Sequence, residues 1–407
     1  VPPPSGGVPT EDGTIVVDEE AGTATLQVDS GKALAELASN PQLTITIPSD
    51  LTVADVTTVI PTNVAQAAAD AGKPIVIAGL DATITIPAAV LAMPGFADTT
   101  ASLTVTLARL TSDESASTIA GTNAAGDPTW HNAGPVYSLE LGFTAQDGSE
   151  TAYAGTFVQP VTVSFTYRAD ALGTLPIWKL GAYRLVGSDW QYVGGRLRSG
   201  QVQADLWHLS QYTLFAYDLT FSDVAASYWA RQDIDTMAAK HVVNGVGSGL
   251  FQPEATLTRA QMAAMLVRAL NLPVDPGSVP SFTDVRATDW FAAELAAAAE
   301  AGIVNGYPDG RYLPNRMVSR EEIAAMLVRA ADVRQQLPDV SGRENEILAP
   351  FLDARDVSTW ALDEMATAVQ LGLLNGRTTT TLAPLAQTKR AEAATMMRRV
   401  MQQLGII

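Results

Sequence analysis

The sequence predicts two folds in one chain: an N-terminal β-sandwich-like domain over residues 14–218, then an all-α bundle of three helical repeats. Three observations predict it. Short runs of strictly alternating apolar and polar residues crowd the first half. One set of residues recurs three times at fixed offsets in the second half. The charge balance changes between them, with 8 Lys/Arg against 22 Asp/Glu in residues 1–220 and 17 against 21 in residues 221–407.

The chain opens with Val1-Pro2-Pro3-Pro4-Ser5-Gly6-Gly7. Residues 1–13 read as a linker, stiff in the prolines and loose in the glycines. A start without Met, basic n-region or apolar h-region suits a processed protein or the C-terminal piece of a longer one. The strands come next. Leu43–Ile47, Thr83–Ile86, Leu103–Leu107 and Val161–Tyr167 alternate apolar residues with Thr or Ser. That is the period of a half-buried strand, and Thr on the outer face suits a solvated antiparallel sheet. Further strands are expected near 135–144, 177–186, 190–197 and 201–206. Helical stretches are expected near 31–38 and 62–71, the second opening after Pro61, with turns at 187–189 and 198–200.

Composition excludes several functions. Apolar residues are 47% of the 407, so the chain has material for packed cores. There is no cysteine, which removes disulfides, thiolate metal sites and a thiol nucleophile. Three histidines, His131, His208 and His241, lie far apart in sequence, so no metal centre or cofactor is expected. A net charge of −18 disfavours a nucleic-acid partner. No apolar run is long enough to span a membrane. The carboxylates Asp18, Glu19 and Glu20 read as a solvated face, and no phosphate-cradling loop or His-Glu-x-x-His pattern is present. The expectation is a protein that is not an enzyme.

The second half repeats. Asn-Gly follows each of Trp229, Trp290 and Trp360 by 15 residues, and an arginine, Arg259, Arg320 or Arg390, follows by 30. Ahead of each Trp lies Phe-x-Asp, with Asp223, Asp284 and Asp353. A helix is expected after each Trp, ending near Gly245, Gly306 and Gly376. A second helix starts at each Arg. Its apolar stripe is Met262, Met265, Leu266, Ala269 and Leu270 in the first copy. The stripe is Ile323, Met326, Leu327, Ala330 and Ala331 in the second copy, and Ala393, Met396, Met397, Val400 and Met401 in the third. Thr258 with Gln261 and Ser319 with Glu322 fit capping boxes. One helical pair cannot bury its stripe alone, whereas three stripes meeting in a bundle can.

Phe-x-Asp, Trp, Asn-Gly, a Gly-rich loop and Thr258-Arg259-Ala260-Gln261 together resemble the S-layer homology domain, in three copies over 219–275, 280–335 and 349–407. The resemblance implies a pseudo-trimeric bundle with grooves between repeats. It also implies non-covalent attachment to a secondary cell-wall polysaccharide, commonly pyruvylated and associated with peptidoglycan. The protein would then be secreted and held at the cell surface. The family's Thr-Arg-Ala-Glu motif corresponds to Thr258–Gln261, to Ser319-Arg320-Glu321-Glu322 and to Lys389-Arg390-Ala391-Glu392. The third copy has Lys389 at the capping position and no second glycine in its loop, so its groove is expected to be the weakest.

The candidate ligand-binding residues are Arg259, Arg320, Arg390, Trp229, Trp290, Trp360, Gly245, Gly306, Gly376, Asp223, Asp284 and Asp353. Arginine matches a ketal carboxylate with two hydrogen bonds, and an Arg at a helix start lies near orphan backbone N–H groups that favour anions. Tryptophan offers a flat face to a sugar, and glycine lets the ligand approach the backbone. Bland roles stand beside these: Trp as a core plug, Gly as a turn residue, Asp as a loop brace and Arg in a structural salt bridge.

The β half reads as a spacer or adaptor. Its stretch His208-Leu209-Ser210 weakly resembles the cleavage site of autoproteolytic adhesion domains, which would cut between Leu209 and Ser210. The alternatives for the whole are a self-associating surface lattice, with calcium as a possible aid, or the anchor of a surface hydrolase.

Overall fold

The computed structural model describes residues 7–93, 101–145, 149–334 and 337–407. Residues 1–6 of the segment read as linker, and residue 335 at the end of the second repeat, lie outside these. The chain divides into two compact units, Val1–Tyr217 and Asp218–Ile407.

The first unit holds two sheets, a main core and a separate smaller cluster of Ala124, Val136, Tyr183, Trp190 and Phe215. One sheet runs, in hydrogen-bonded order, Val8–Pro9, Gly13–Asp18, Thr23–Val28, Asp55–Ile60, Ala101–Arg109, Tyr137–Ala145, Gln211–Tyr217, Leu180–Val186 and Asp189–Gly194. The other runs Arg196–Arg198, Gln201–Leu206, Val161–Thr166, Ala82–Ile86, Ile75–Gly79 and Leu43–Thr46. The alternation works as read: Leu103, Val105 and Leu107 are buried while Thr104 and Thr106 reach the surface. Leu26, Val56 and Leu139 from the first sheet meet Ile45, Ile77, Ile84 and Phe165 from the second in one cluster.

Several details depart from the sequence reading. The sheets are not wholly antiparallel, because Thr23–Val28 pairs with Asp55–Ile60, and Leu43–Thr46 with Ile75–Gly79, in parallel. Parallel neighbours need a crossover. Helices α1 (Ser30–Ser39) and α2 (Thr62–Asp70) lie within those crossovers and put Ala33, Leu37, Val64 and Ala68 into the core. Residues Ile177–Lys179 form a 3₁₀ turn after Pro176, not the start of a strand. The expected strand 190–197 breaks at Gly194 and Gly195, whose positive φ values (114° and 137°) are easy only for glycine. The break sends Arg196–Arg198 to the other sheet. Two short helices, α3 (Ala88–Leu91) and α4 (Ser112–Ala120), escape the periodicity. Val8–Pro9, inside the expected linker, pairs with Thr14 and Ile15.

The second unit is helical: α5 (Arg231–Ala239), α6 (Arg259–Ala269), α7 (Ala292–Glu300), α8 (Arg320–Asp332), α9 (Glu344–Leu348), α10 (Leu362–Gln370) and α11 (Arg390–Gln403). Each repeat has an outer helix after its Trp and a core helix that begins at its Arg. Thr258 and Ser319 make the complete capping boxes. At the third, Glu392 accepts from Lys389 N–H at 2.9 Å, but an ammonium side chain has no oxygen to return the bond. Thr388 does not substitute, since its Oγ1 is buried with no hydrogen-bond partner. The expected stripes are all buried. In α6 and α8, Ala263, Ala264, Val267, Ala324, Ala325 and Val328 are buried too, so these helices are enclosed on more than one side. Alanine there lets neighbouring backbones come close.

The repeats interlock in a cycle. Outer helix α7 packs on α6, α10 on α8, and α5 on α11. Each core helix also takes carbonyls from the following repeat. Arg259 and Ala260 N–H donate to Arg316 O and Pro314 O, both at 3.0 Å. Arg320 and Glu321 donate to Ala386 O and Pro384 O, and Arg390 and Ala391 to Ala255 O and Pro253 O.

Candidate functional site

Each repeat carries the same small frame. The Asp of Phe-x-Asp accepts two backbone N–H bonds across the Gly-rich loop. Asp223 takes Phe251 and Gln252 at 2.8 and 2.7 Å, Asp284 takes Tyr312 and Leu313 at 2.8 Å, and Asp353 takes Leu382 and Ala383 at 2.8 and 2.7 Å. Loss of solvent raises the carboxyl pKa of Asp223 and Asp353, but these hydrogen bonds prevail and hold both below the ordinary value. The glycines are held by sterics. A Cβ on Gly306 would stand 2.7 Å from the Phe282 ring, and one on Gly376 would stand 2.6 Å from the Phe351 ring. On Gly245 it would meet Leu250 O at 2.8 Å and the Phe221 ring at 3.0 Å. Close packing of loop on ring demands glycine there.

The arginines reach across repeats, a role no local pattern displays. Arg259 donates from Nε to Tyr312 O at 2.9 Å and from Nη2 to Asn305 O at 3.4 Å, both in the second repeat. Arg320 does the same to Leu382 O and Asn375 O of the third repeat, both at 2.7 Å. Arg390 closes the cycle on Phe251 O and Asn244 O of the first, both at 2.8 Å. The orphan helical N–H groups expected to favour an anion are already used, because the neighbouring repeat's carbonyls occupy them. A proline six residues before each Arg (Pro253, Pro314, Pro384) supplies one of those carbonyls, a fixed spacing that the sequence itself carries in all three copies.

The tryptophans do not plug the bundle. Trp229, Trp290 and Trp360 are 62%, 62% and 52% exposed, while the Phe and Tyr rings behind the loops fill the interior. Two grooves collect the candidate residues. One, of about 340 Å³, is lined by Asn244, Gly245, Gln261, Met265, Trp290 and Arg390. The other, of about 440 Å³, is lined by Asn305, Gly306, Tyr307, Glu322, Arg259 and Trp360. Each groove therefore draws on all three repeats. Its loop and core helix come from one, its Arg from the preceding one and its Trp from the following one. The same relation brings Arg320 to Asn375 in a third position, and α5, which follows Trp229, packs on α11 there.

A cavity of about 880 Å³ in the first unit is lined by Arg109 and Arg168, which are engaged by Asp81 and Asn132. His208 Nε2 meets Thr156 Oγ1 at 3.5 Å, and its carbonyl accepts from Tyr212 Oη at 2.5 Å. Ser210 O accepts from Leu139 N–H at 2.9 Å. Among the described residues no cluster of His, Cys, Asp and Glu could hold a metal ion, and no helix is long and apolar enough to cross a membrane.

Fold and site together define a three-repeat helical module with grooves shared between repeats, lined by apolar surface and a few polar groups. The S-layer homology domain family matches residues 220–263, 281–324 and 350–394, so the chain carries three tandem S-layer homology domains. It is 36% identical over 228 residues to an amylopullulanase of Thermoanaerobacterium thermosulfurigenes, covering 55% of this chain and 12% of that one. It is 32% identical over 186 residues to exoglucanase XynX of Acetivibrio thermocellus, covering 46% and 16%. It is 32% identical over 188 residues to S-layer protein sap of Bacillus anthracis, covering 46% and 22%. The chain spans less than a quarter of the length of these relatives. The domains place it among secreted proteins held at the bacterial cell surface and wall.

Proposed function

We propose that the second unit anchors a secreted protein non-covalently by binding a secondary cell-wall polysaccharide in the grooves between its repeats. The three repeats form a pseudo-threefold bundle, and the polymer presents a carboxylate, as a pyruvate ketal does. The observation that carries this reading is the groove itself: an exposed Trp, an Asn-Gly loop and a guanidinium, brought together from three repeats. The Trp face covers the sugar, the guanidinium meets the carboxylate, and the Gly keeps the floor low. Repeating a modest site along a polymer multiplies its hold. The binding residues are the arginines, tryptophans and glycines named above, with Asp223, Asp284 and Asp353 shaping the loops. The chain itself is not an enzyme, and the first unit acts as spacer or adaptor. The S-layer and hydrolase relatives favour two whole-protein contexts, a surface lattice and a wall-bound hydrolase.

The test is co-sedimentation of the full chain with purified wall sacculi, before and after chemical removal of the secondary polymer. Binding should depend on the polymer and weaken in Trp290→Ala and Trp360→Ala, whose exposed side chains contribute little to stability. Sedimentation that is indifferent to polymer removal overturns the proposal.

A further inference from the structure

The grooves differ at the third residue of the core helix, and that difference decides what the arginine can do. In the groove of Arg259, Glu322 Oε1 accepts from Arg259 Nη1 at 2.7 Å and from Tyr307 Oη at 2.8 Å, and Arg316 joins it. Arg259 is 7% exposed. In the third position, Glu392 stands 3.7 Å from Arg320, which is 2% exposed, and Arg377 grips the same carboxylate with two bonds at 2.9 and 3.0 Å. Copies two and three thus carry an internal carboxylate, and each carries an extra arginine to balance it.

Copy one departs from the other two at two positions. Gln261 stands where the others have Glu, and Val246 where they have Tyr307 and Arg377; Ala255 matches Ala386 of copy three, so Arg316 is particular to copy two. Gln261 Oε1 accepts the Thr258 N–H at 3.0 Å. A backbone N–H can only donate, so the amide orientation follows, and Gln261 Nε2 is left as a donor. Among the described residues, no carboxylate makes an ion pair with Arg390, whose bond to Asn244 O lies at the exposed rim. At this position groove one therefore has a neutral amide donor in the lining it shares with Arg390, where the other two copies have a carboxylate, and its remaining cation, Arg268, is held by Glu294.

We propose that the groove of Arg390, Gln261 and Trp290 is the principal carboxylate-binding site of this chain, and that Gln261 determines its preference for an anionic sugar. This rests on the anchoring function proposed above. A ligand carboxylate reaches Arg390 without displacing anything. At Arg259 or Arg320 it must compete with Glu322 or Glu392, so those grooves favour neutral parts of the polymer.

The experiment is calorimetric titration of the full chain, at low salt and neutral pH, with a methyl glycoside of an amino sugar bearing a pyruvate ketal. The same glycoside without the ketal is the control. The ketal should bind tightly at one site. Gln261→Glu, which supplies Arg390 with its own carboxylate, should weaken that site at least about tenfold with an unchanged melting temperature. Glu322→Gln should leave that site as it was and add a second one. Tight binding that survives both Gln261→Glu and Arg390→Ala, or that is lost in Glu322→Gln, overturns the ranking alone. A wild-type chain that binds sacculi through the polymer but ignores the ketal overturns the carboxylate preference and keeps the anchor. A chain that binds neither overturns both.

Discussion

Arg320→Ala tests whether the arginines are clamps before they are binding groups. The side chain is 2% exposed and holds two carbonyls of the next repeat, Leu382 O and Asn375 O, at 2.7 Å each. Hydrogen bonds from a charged donor are worth about 1.5–3 kcal/mol each, and breaking a buried charged cluster from one side costs about 3–5 kcal/mol. These figures describe one deletion and are not summed. Arg377 still satisfies Glu392 through two bonds, which keeps the loss toward the lower end, about 3–4 kcal/mol. A cooperative unit the size of Asp218–Ile407 loses about 2–4 °C per kcal/mol, so its melting temperature should fall by about 6–16 °C. Differential scanning calorimetry of the full chain at pH 7 reads this, with ellipticity at 222 nm identifying the helical transition. Arg320→Lys should recover less than half, because an ammonium cannot reach both carbonyls as the planar fork does. A fall under about 3 °C would refute the clamp.

Gly306→Ala should lower the urea midpoint of the helical unit by the equivalent of about 1–3 kcal/mol, because its Cβ would stand 2.7 and 2.9 Å from carbons of the Phe282 ring. Asp223 and Asp353 have lowered pKa values in the folded chain, so the stability they contribute is present above the ordinary value of 3.8 and is lost as pH falls through the lower folded value. The helical melting temperature should therefore vary little in response to these groups above about pH 5 and drop below about pH 4; a drop centred near neutrality would point to other groups. In the first unit, the outer N–H groups of edge strand Leu43–Thr46 are covered, Thr44 by Glu36 at 3.0 Å and Thr46 by Asp12 at 2.7 Å. Removing both carboxylates (Asp12→Ala with Glu36→Ala) should expose that edge and raise the apparent mass in light scattering after size exclusion, as unprotected sheet edges pair.

Much of the fold was legible because its signals are local. Strand alternation marks Leu103 to Leu107, and helical period with a capping hydroxyl marks the starts at Arg259 and Arg320. The parallel pairing of Thr23–Val28 with Asp55–Ile60 was not legible, since both strands alternate as antiparallel ones do and only the crossover through α1 distinguishes them. Short helix α4, all small or polar apart from Ile119, has too little apolar period to show. At the site, the residue types were legible but their partnerships were not.

By itself the sequence determined that there are three repeats, where each core helix begins, and which residues recur at the grooves. Those facts follow from spacing along one chain. Only the tertiary structure decided that Arg259 serves the second repeat's loop, Arg320 the third's and Arg390 the first's. It alone turned the tryptophans outward, and it set Glu322 against Arg259 while leaving Gln261 in the groove with Arg390. The physical reason is range. Helix capping and side-chain period act within a turn or two, whereas burial and pairing of a charge depend on which distant segment packs against it, and for Arg259, Arg320 and Arg390 that segment belongs to another repeat.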